Sequence, residues 1–310
     1  PLRLEQLEDG LKNLKRFYSN RGYLEMKILN ENENLISYNE KGTEAYIRVK
    51  LYEGPKVVID SISIEGNLKT RSEVILKETE LKVGDILTQE MIEESTRRLN
   101  RMGLFSRVTV RTLEAGTSLA NRTLIITVSE SKPGLFRTGF GVTSEDNLTL
   151  RGFLGTSYAN LWGTARALSN RVELKSNVTQ SQELQSKVTL GYMEPFLFNS
   201  RTRGRTSLTY HLTELDYNEE SEVASMRESN RIDFLIEKEL SRRLKLIWTF
   251  WSLESQRNFT LPESSFEKTS IAAIGPRFEL DYRNNPFSPT SGTFTRWDTQ
   301  YSHPDIGSSD

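Results

Sequence analysis

Past Pro133 the helix signals stop. Nowhere in residues 134–310 does a capping residue introduce apolar positions at three- and four-residue spacing. Alternation takes over instead. Val188, Leu190 and Tyr192 stand against Lys187, Thr189 and Gly191, and Phe278, Leu280 and Tyr282 against Glu279, Asp281 and Arg283. Ile232, Phe234 and Ile236 alternate less strictly because Leu235 interrupts, and Leu244, Leu246, Trp248 and Phe250 form another apolar file. Period two puts successive side chains on opposite faces of a strand, so each segment has one apolar and one polar face. About nine such segments, of about ten residues each, can be counted. They run near Phe136–Val142, Leu148–Gly155, Ala165–Leu174, Leu184–Tyr192, Arg203–Leu212, Arg231–Leu240, Arg243–Leu253, Ile271–Tyr282 and Thr293–Tyr301.

Two architectures suit this pattern, a soluble antiparallel sandwich and a membrane barrel with lipid outside and water inside. The connections favour the barrel. Asn218–Ser229 and Gln256–Thr269 read as long polar loops and Leu240–Arg243 as a tight turn, which predicts one rim of short turns and one of long loops. Composition does not oppose this: hydrophobic residues are 36% and mean hydropathy is −0.53, but barrel strands average out to polar. No apolar run is long enough for a spanning helix. The net charge of −1 argues against a nucleic-acid partner, and the absence of cysteine removes disulfides and thiolate chemistry.

Before Pro133 the chain alternates helices and strands. Leu4, Leu7, Leu11, Leu14 and Tyr18 form a helical stripe ending near Gly22, followed by strand-like runs over Tyr23–Tyr38 and Thr43–Tyr52 and a break at Glu53-Gly54-Pro55. A fuller unit follows: a strand over Val57–Glu65, a Gly66-Asn67 turn, a capping box at Thr70-Arg-Ser-Glu73, a second helix capped by Thr88 with Met91, Ile92 and Leu99 inward, and two strands, Phe105–Leu113 and Thr123–Glu130. The order is β-α-α-β-β. Asn20-Arg-Gly-Tyr23 and Arg101-Met-Gly-Leu104 end the two long helices alike, so residues 1–55 read as the second half of the same module, 56–133 as a complete one and 134–310 as barrel. Because the chain opens inside a helical stripe, it reads as a fragment, with any export signal upstream.

Ile64-Glu-Gly-Asn67, Val83-Gly-Asp85 and Asn100-Arg-Met-Gly-Leu-Phe-Ser106, in this order within one unit, resemble the POTRA module of outer-membrane assembly and transport proteins. Leu161-Trp-Gly-Thr164, Gly191-Tyr-Met-Glu-Pro-Phe196 and Asp281-Tyr-Arg-Asn-Asn-Pro-Phe-Ser-Pro-Thr-Ser-Gly292 resemble the first strands and a turn of the BamA-type barrel family. The resemblance implies POTRA modules in the periplasm and an antiparallel barrel in the outer membrane, sixteen-stranded in the family and truncated partway here. It further implies unfolded outer-membrane protein precursors as clients, with accessory envelope lipoproteins and the lipid bilayer as partners. A secretion or translocation pore of the same superfamily is the second reading, and a soluble β-rich periplasmic binding protein the third. Arg151-Gly-Phe153 matches the core of the family's inward loop motif, but falls in a candidate strand.

No nucleophile elbow, phosphate loop or metal-binding spacing is present, and the only histidines, His211 and His303, read as wall or turn residues. The expectation is a protein that is not an enzyme and takes no cofactor or metal. Function is expected in backbone edges. Arg107, Val108, Thr109, Val110 and Arg111 are the candidate edge for a client strand. Phe136, Thr138, Gly139, Phe140 and Gly141 are the candidate barrel seam, with Gly134, Gly139 and Gly141 expected to weaken cross-strand packing. Asp281, Arg283, Pro286, Pro289 and Gly292 are the structural turn, where the prolines fix φ and Gly292 permits the exit. Arg97, Arg98 and Arg101 make a basic helix patch, read as a solvated face or, more sharply, a docking surface.

Overall fold

The computed structural model describes residues 3–31, 35–144, 148–178, 184–218, 223–261 and 266–309, in two compact units divided between Ser131 and Lys132. In the first, α1 (Leu4–Ser19) is followed by four short strands, β1 (Lys27–Ile28), β2 (Ile36–Tyr38), β3 (Ala45–Ile47) and β4 (Leu51–Tyr52). They pair antiparallel as β1–β4 and β2–β3, so the two long runs read from sequence are fragments of one irregular hairpin. Then come β5 (Val58–Glu65), α2 (Ser72–Thr79), α3 (Gln89–Arg101), β6 (Phe105–Thr112) and β7 (Asn121–Glu130), with sheet order β5-β7-β6. Val57, Ile59, Ile75, Leu87, Leu99, Leu124 and Ile126 are buried beneath the two helices and form the core. On α3 the fully buried positions are Ser95 and Leu99, while Met91 and Ile92 are half-buried.

Thr88 caps α3 as expected, its hydroxyl accepting from the Met91 amide at 3.1 Å. The capping box at Thr70 does not form. Helix α2 begins after Arg71 without a side-chain cap, because Thr70 is engaged elsewhere: its amide and the Lys69 amide donate to the Glu130 carboxylate at 2.6 and 3.0 Å. The Gly66-Asn67 motif is explained locally. Gly66 has φ +83°, and a Cβ there would stand 2.0 Å from the Val128 carbonyl oxygen; Asn67 donates to the Thr70 carbonyl and the Ser72 hydroxyl.

A buried ion pair ties the hairpin to the complete module. Arg122, 1% exposed, donates to Glu25 Oε1 at 2.6 Å and to the carbonyls of Leu119 and Thr117 at 2.9 and 2.8 Å, while the Gly116 amide donates to the same Glu25 oxygen at 2.7 Å. Nearby, the Val57 amide donates to the Gly22 carbonyl at 2.8 Å. Burial pushes the Glu25 carboxyl up, but the Gly116 amide and the Arg122 guanidinium outweigh it and hold it below the ordinary carboxylate value.

The second unit is one antiparallel sheet of nine strands in sequence order. These are β8 (Gly134–Thr143), β9 (Thr149–Leu161), β10 (Arg166–Asn177), β11 (Leu184–Glu194), β12 (Thr202–Asn218), β13 (Val223–Glu239), β14 (Leu244–Leu261), β15 (Phe266–Asp281) and β16 (Phe294–Asp298). A single continuous meander is not a sandwich of two packed sheets. The strand count agrees with the sequence, but β12 to β15 are longer than expected. Val223–Ser229, Gln256–Leu261 and Phe266–Thr269, read as loop, are strand, with Asp216 paired to Ser225 and Arg257 to Glu228; residues 219–222 and 262–265 lie outside the described residues. The apolar residues of these ends are sparse, Ala224 and Met226 pairing with Leu261 and Phe259 among polar neighbours, so alternation marks them only weakly. Register sorts the rest. Phe140, Leu150, Leu174, Leu190 and Leu208 fall on one exposed face, and Arg151, Lys175, Lys187, Asp233 and Glu254 on the other.

The Arg122–Glu25 pair generates a stability prediction. Glu25→Gln removes the partner of a buried cation and is expected to lower the stability of residues 1–131 by about 3 kcal/mol in urea unfolding at pH 7. Since the Glu25 carboxyl is depressed in the fold, its contribution is present above the ordinary value of 4.5 and lost as pH falls through the folded value. The variant should therefore converge with wild type in strong acid, which a pH series of urea midpoints checks.

Candidate strand-capture edges

Each unit ends in a bare strand edge. In the first unit β5 has its outer side partly taken: Ile59 donates to the Asp85 carbonyl at 2.9 Å, and Gly84 and Leu87 donate to the carbonyls of Ile59 and Val57 at 2.8 and 2.9 Å. The Val83-Gly-Asp85 motif makes this possible, because Gly84 turns at φ +92° and the Asp85 carboxylate accepts from the Lys82 amide at 3.0 Å. Strand β6 pairs only with β7 among the described residues. The sequence-derived edge, Arg107, Val108, Thr109, Val110 and Arg111, lies along it, with Val110 buried and Arg107, Thr109 and Arg111 exposed. Such an edge offers a row of main-chain donors and acceptors at fixed spacing, with alternate side chains free to contact what pairs there.

The helix beside it is not a cationic surface. Arg97 pairs with Glu94 at 2.6 Å, and Arg98, 19% exposed, pairs with Glu94 at 2.9 Å and Glu80 at 2.7 Å. Burial raises the Glu94 carboxyl, but its two arginines win and bring it to about 2. The patch is neutralised within its own surface.

In the second unit β8 is the edge, with β9 on one side and no strand on the other. Phe136 and Phe140, 63% and 96% exposed, fall on the apolar face together with Thr138, while Gly139 and Gly141 fall on the polar face. The two glycines are not equivalent. Gly139 is opposite Phe153, and a Cβ at 139 would stand 2.5 Å from the Phe153 ring; at Gly141 the nearest atom is Arg151 Nε at 3.7 Å. The Phe153 ring fills the notch and lies 4.3 Å beneath the Arg171 guanidinium. The space that Gly139 leaves is thus packed from the neighbouring strand, an arrangement known to steady glycines at sheet edges. Sequence reasoning passed over Phe153 and Arg171 because Phe153 lies within Arg151-Gly-Phe153, which the structure places in β9. An aromatic among polar-face residues, opposite a glycine, was the available signal, and it needs the register to be seen.

The turn joining β15 to β16 is held by its own side chains. Arg283 grips Asp281 through Nε at 2.9 Å and Nη2 at 2.7 Å and donates to the Pro286 carbonyl at 3.1 Å. Asn284 Oδ1 accepts from the Thr290 amide at 3.1 Å, and Asn285 Oδ1 from the Phe287 amide at 2.9 Å. Gly292 exits at φ +97°, where a Cβ would stand 2.2 Å from the Tyr282 carbonyl oxygen. Pro289 sits inside the loop so closed. His211 lies in β12, and His303 accepts from the Asp305 amide; no group of residues suited to a metal occurs among the described residues. No helix among them is long and apolar enough to cross a membrane, which says nothing of strands.

Comparison with known proteins places both units. The POTRA family model, described as a surface antigen variable number repeat, matches residues 57–131. A putative outer membrane protein assembly factor of Treponema pallidum is 27% identical over 193 residues, 62% of this chain and 22% of the relative, so the chain spans about a fifth of that protein's length. The structure of BamA from Haemophilus ducreyi lacking POTRA domains 1–3 superposes with a TM-score of 0.68 at 16% identity, covering 99% of this chain and 59% of that one. CdiB from Acinetobacter baumannii gives 0.52 at 15% identity over 85% of this chain and 48% of its own. At these identities the structural likeness speaks for the fold: a POTRA module followed by the strands of a BamA-like barrel.

The glycine analysis predicts a specific epistasis. Gly139→Ala should destabilise the β8–β9 pairing by about 1–3 kcal/mol through overpacking, and Phe153→Ala should relieve part of that cost in the double variant, whereas Gly141→Ala should be tolerated. Urea titration of the full-length protein in detergent, read by the heat-dependent gel shift of folded barrels, checks all four.

Proposed function

We propose that this chain, a POTRA module leading into the strands of a BamA-like barrel, is a segment of a BamA-type outer-membrane assembly protein that captures precursor strands by backbone pairing and templates them into the membrane. The barrel sits in the outer membrane with the POTRA module in the periplasm. The observation that carries the reading is the β6 edge, paired only with β7 among the described residues, together with β8 as the first strand of the barrel sheet. Unfolded outer-membrane proteins share no common sequence but all expose main-chain groups, so an edge that pairs through the backbone accepts any of them. Nothing in this step needs covalent chemistry or a cofactor, so the protein works without being an enzyme. At β8 a client strand finds a partner whose apolar face, with Phe136 and Phe140, already matches the lipid. Accessory envelope lipoproteins complete the partner set that the family resemblance brings.

Transport of a polypeptide through the lumen is the second reading, favoured by the likeness to the CdiB fold. Reconstitution separates the two. Full-length protein carrying Thr138→Cys, in liposomes, should form disulfides with cysteines in the terminal strands of a urea-unfolded barrel precursor, and that precursor should become protease-protected in the bilayer. Protection of a soluble polypeptide inside the vesicles, with no cross-link at residue 138, would assign the secretion role instead. At the other edge, Val108→Pro should weaken precursor binding to the soluble POTRA region by about tenfold, measured by fluorescence anisotropy, because proline removes a donor and cannot sit in a paired strand.

A further inference from the structure

The polar face of β8 to β11 differs from that of the later strands. Farther along the sheet its charges are paired: Arg231 with Asp233 and Glu254, Lys245 and Arg205 with Glu237, Arg277 with Asp298, Arg296 with Glu279. Nearer the edge strand, Arg137, Arg151, Lys175 and Lys187 form no salt bridge among the described residues, and Glu173, which stands across from Lys187, is engaged by Arg171. Lys175 stands directly across from Arg151, a like-charge pair that costs stability unless an anion lies between. Lys187 is next to His211 on the neighbouring strand. The same face is cleared of side chains at Gly141, Gly155 and Gly191. Two adjoining hollows of about 330 and 440 Å³ lie on this face, sharing Arg171, Glu173 and Lys187 in their walls, with Gly155 lining one of them.

We propose that this cationic trough on the inner wall, beside β8, binds an extended polypeptide segment bearing acidic side chains. A single phosphate-sized anion would call for donors converging on one point, but the cations are spread over four strands, Arg137 on β8, Arg151 on β9, Lys175 on β10 and Lys187 on β11. Arg171 and Lys175 lie four positions apart on one strand, about 13 Å, with Glu173 between them on the same face, so the cations flank an acid and span more than one residue of a bound chain. The two hollows give such a chain room to lie along the face. The trough thereby adds a charge preference to the strand-capture reading and rests on it, selecting acidic segments of a client held at the neighbouring edge.

The test uses the full-length protein in nanodiscs and a fluorescein-labelled peptide of about ten residues alternating Glu and Thr, with Gln/Thr and Lys/Thr peptides as controls. The Glu/Thr peptide should bind, weaken on raising salt from about 0.05 to about 0.5 M, and lose at least about tenfold in affinity in Lys175→Glu/Lys187→Glu. The Lys175→Gln/Lys187→Gln variant, with folding verified by the heat-dependent gel shift, should fall between. Equal binding of the Gln/Thr peptide, or unchanged affinity in either folded variant, would overturn the proposal. So would competition in which inorganic phosphate binds with the same lysine dependence and the peptide does not, which would make the trough a headgroup site. Precursor insertion is scored in parallel: lost peptide binding with intact insertion rejects the trough alone, and lost insertion with intact peptide binding rejects the capture reading alone.

Discussion

A strand at the rim of a sheet leaves a row of its N–H and C=O groups without partners, and in hydrocarbon each unpaired group costs several kcal/mol. The structure of both units is arranged around that cost. In the first, β5 is covered on its outer side by the segment from Gly84 to Leu87, leaving β6 as the open edge. In the second, eight strand pairings satisfy the interior of the sheet and β8 stands at one end. Under the proposed reading, such an edge is a functional site that needs no catalytic side chain.

The side chains around these edges hold them ready rather than act themselves. Glu130 fastens the end of β7 to the loop before α2 through the amides of Lys69 and Thr70, which keeps the strand beside β6 in place. Burial raises its carboxyl, and the hydrogen bonds from Thr70 and Lys69 more than reverse this, so the charged form is the one the module holds. At β8, Phe153 and Arg171 supply from neighbouring strands the packing that Gly139 lacks. The first strand of the sheet is thereby packed from its neighbours despite its glycine.

Much of this was legible in the sequence because period two and period 3.6 are written in single residues. The nine strands and the order β-α-α-β-β follow from such local patterns, and the Arg107–Arg111 stretch could be set on a strand by its alternation alone. What was not legible depends on pairs distant in sequence. Thr70 looks like a helix cap until Glu130 is seen to take its amide. The ends of β12 to β15 look like loops because their few apolar residues, such as Ala224, Met226 and Phe259, are scattered among polar ones, and only the ladder shows they are strand. The packing of Phe153 against Gly139, and the opposition of Lys175 and Arg151, exist only once the register is fixed.

The central claim is that β8 is an edge open to another strand, and backbone hydrogen exchange reads this directly. In the full-length protein in nanodiscs, amides of residues 134–143 should exchange markedly faster than those of β10 and β11, and a bound barrel precursor should slow them selectively. Amides in β8 that are protected as well as those of β10, and indifferent to the precursor, would contradict the account.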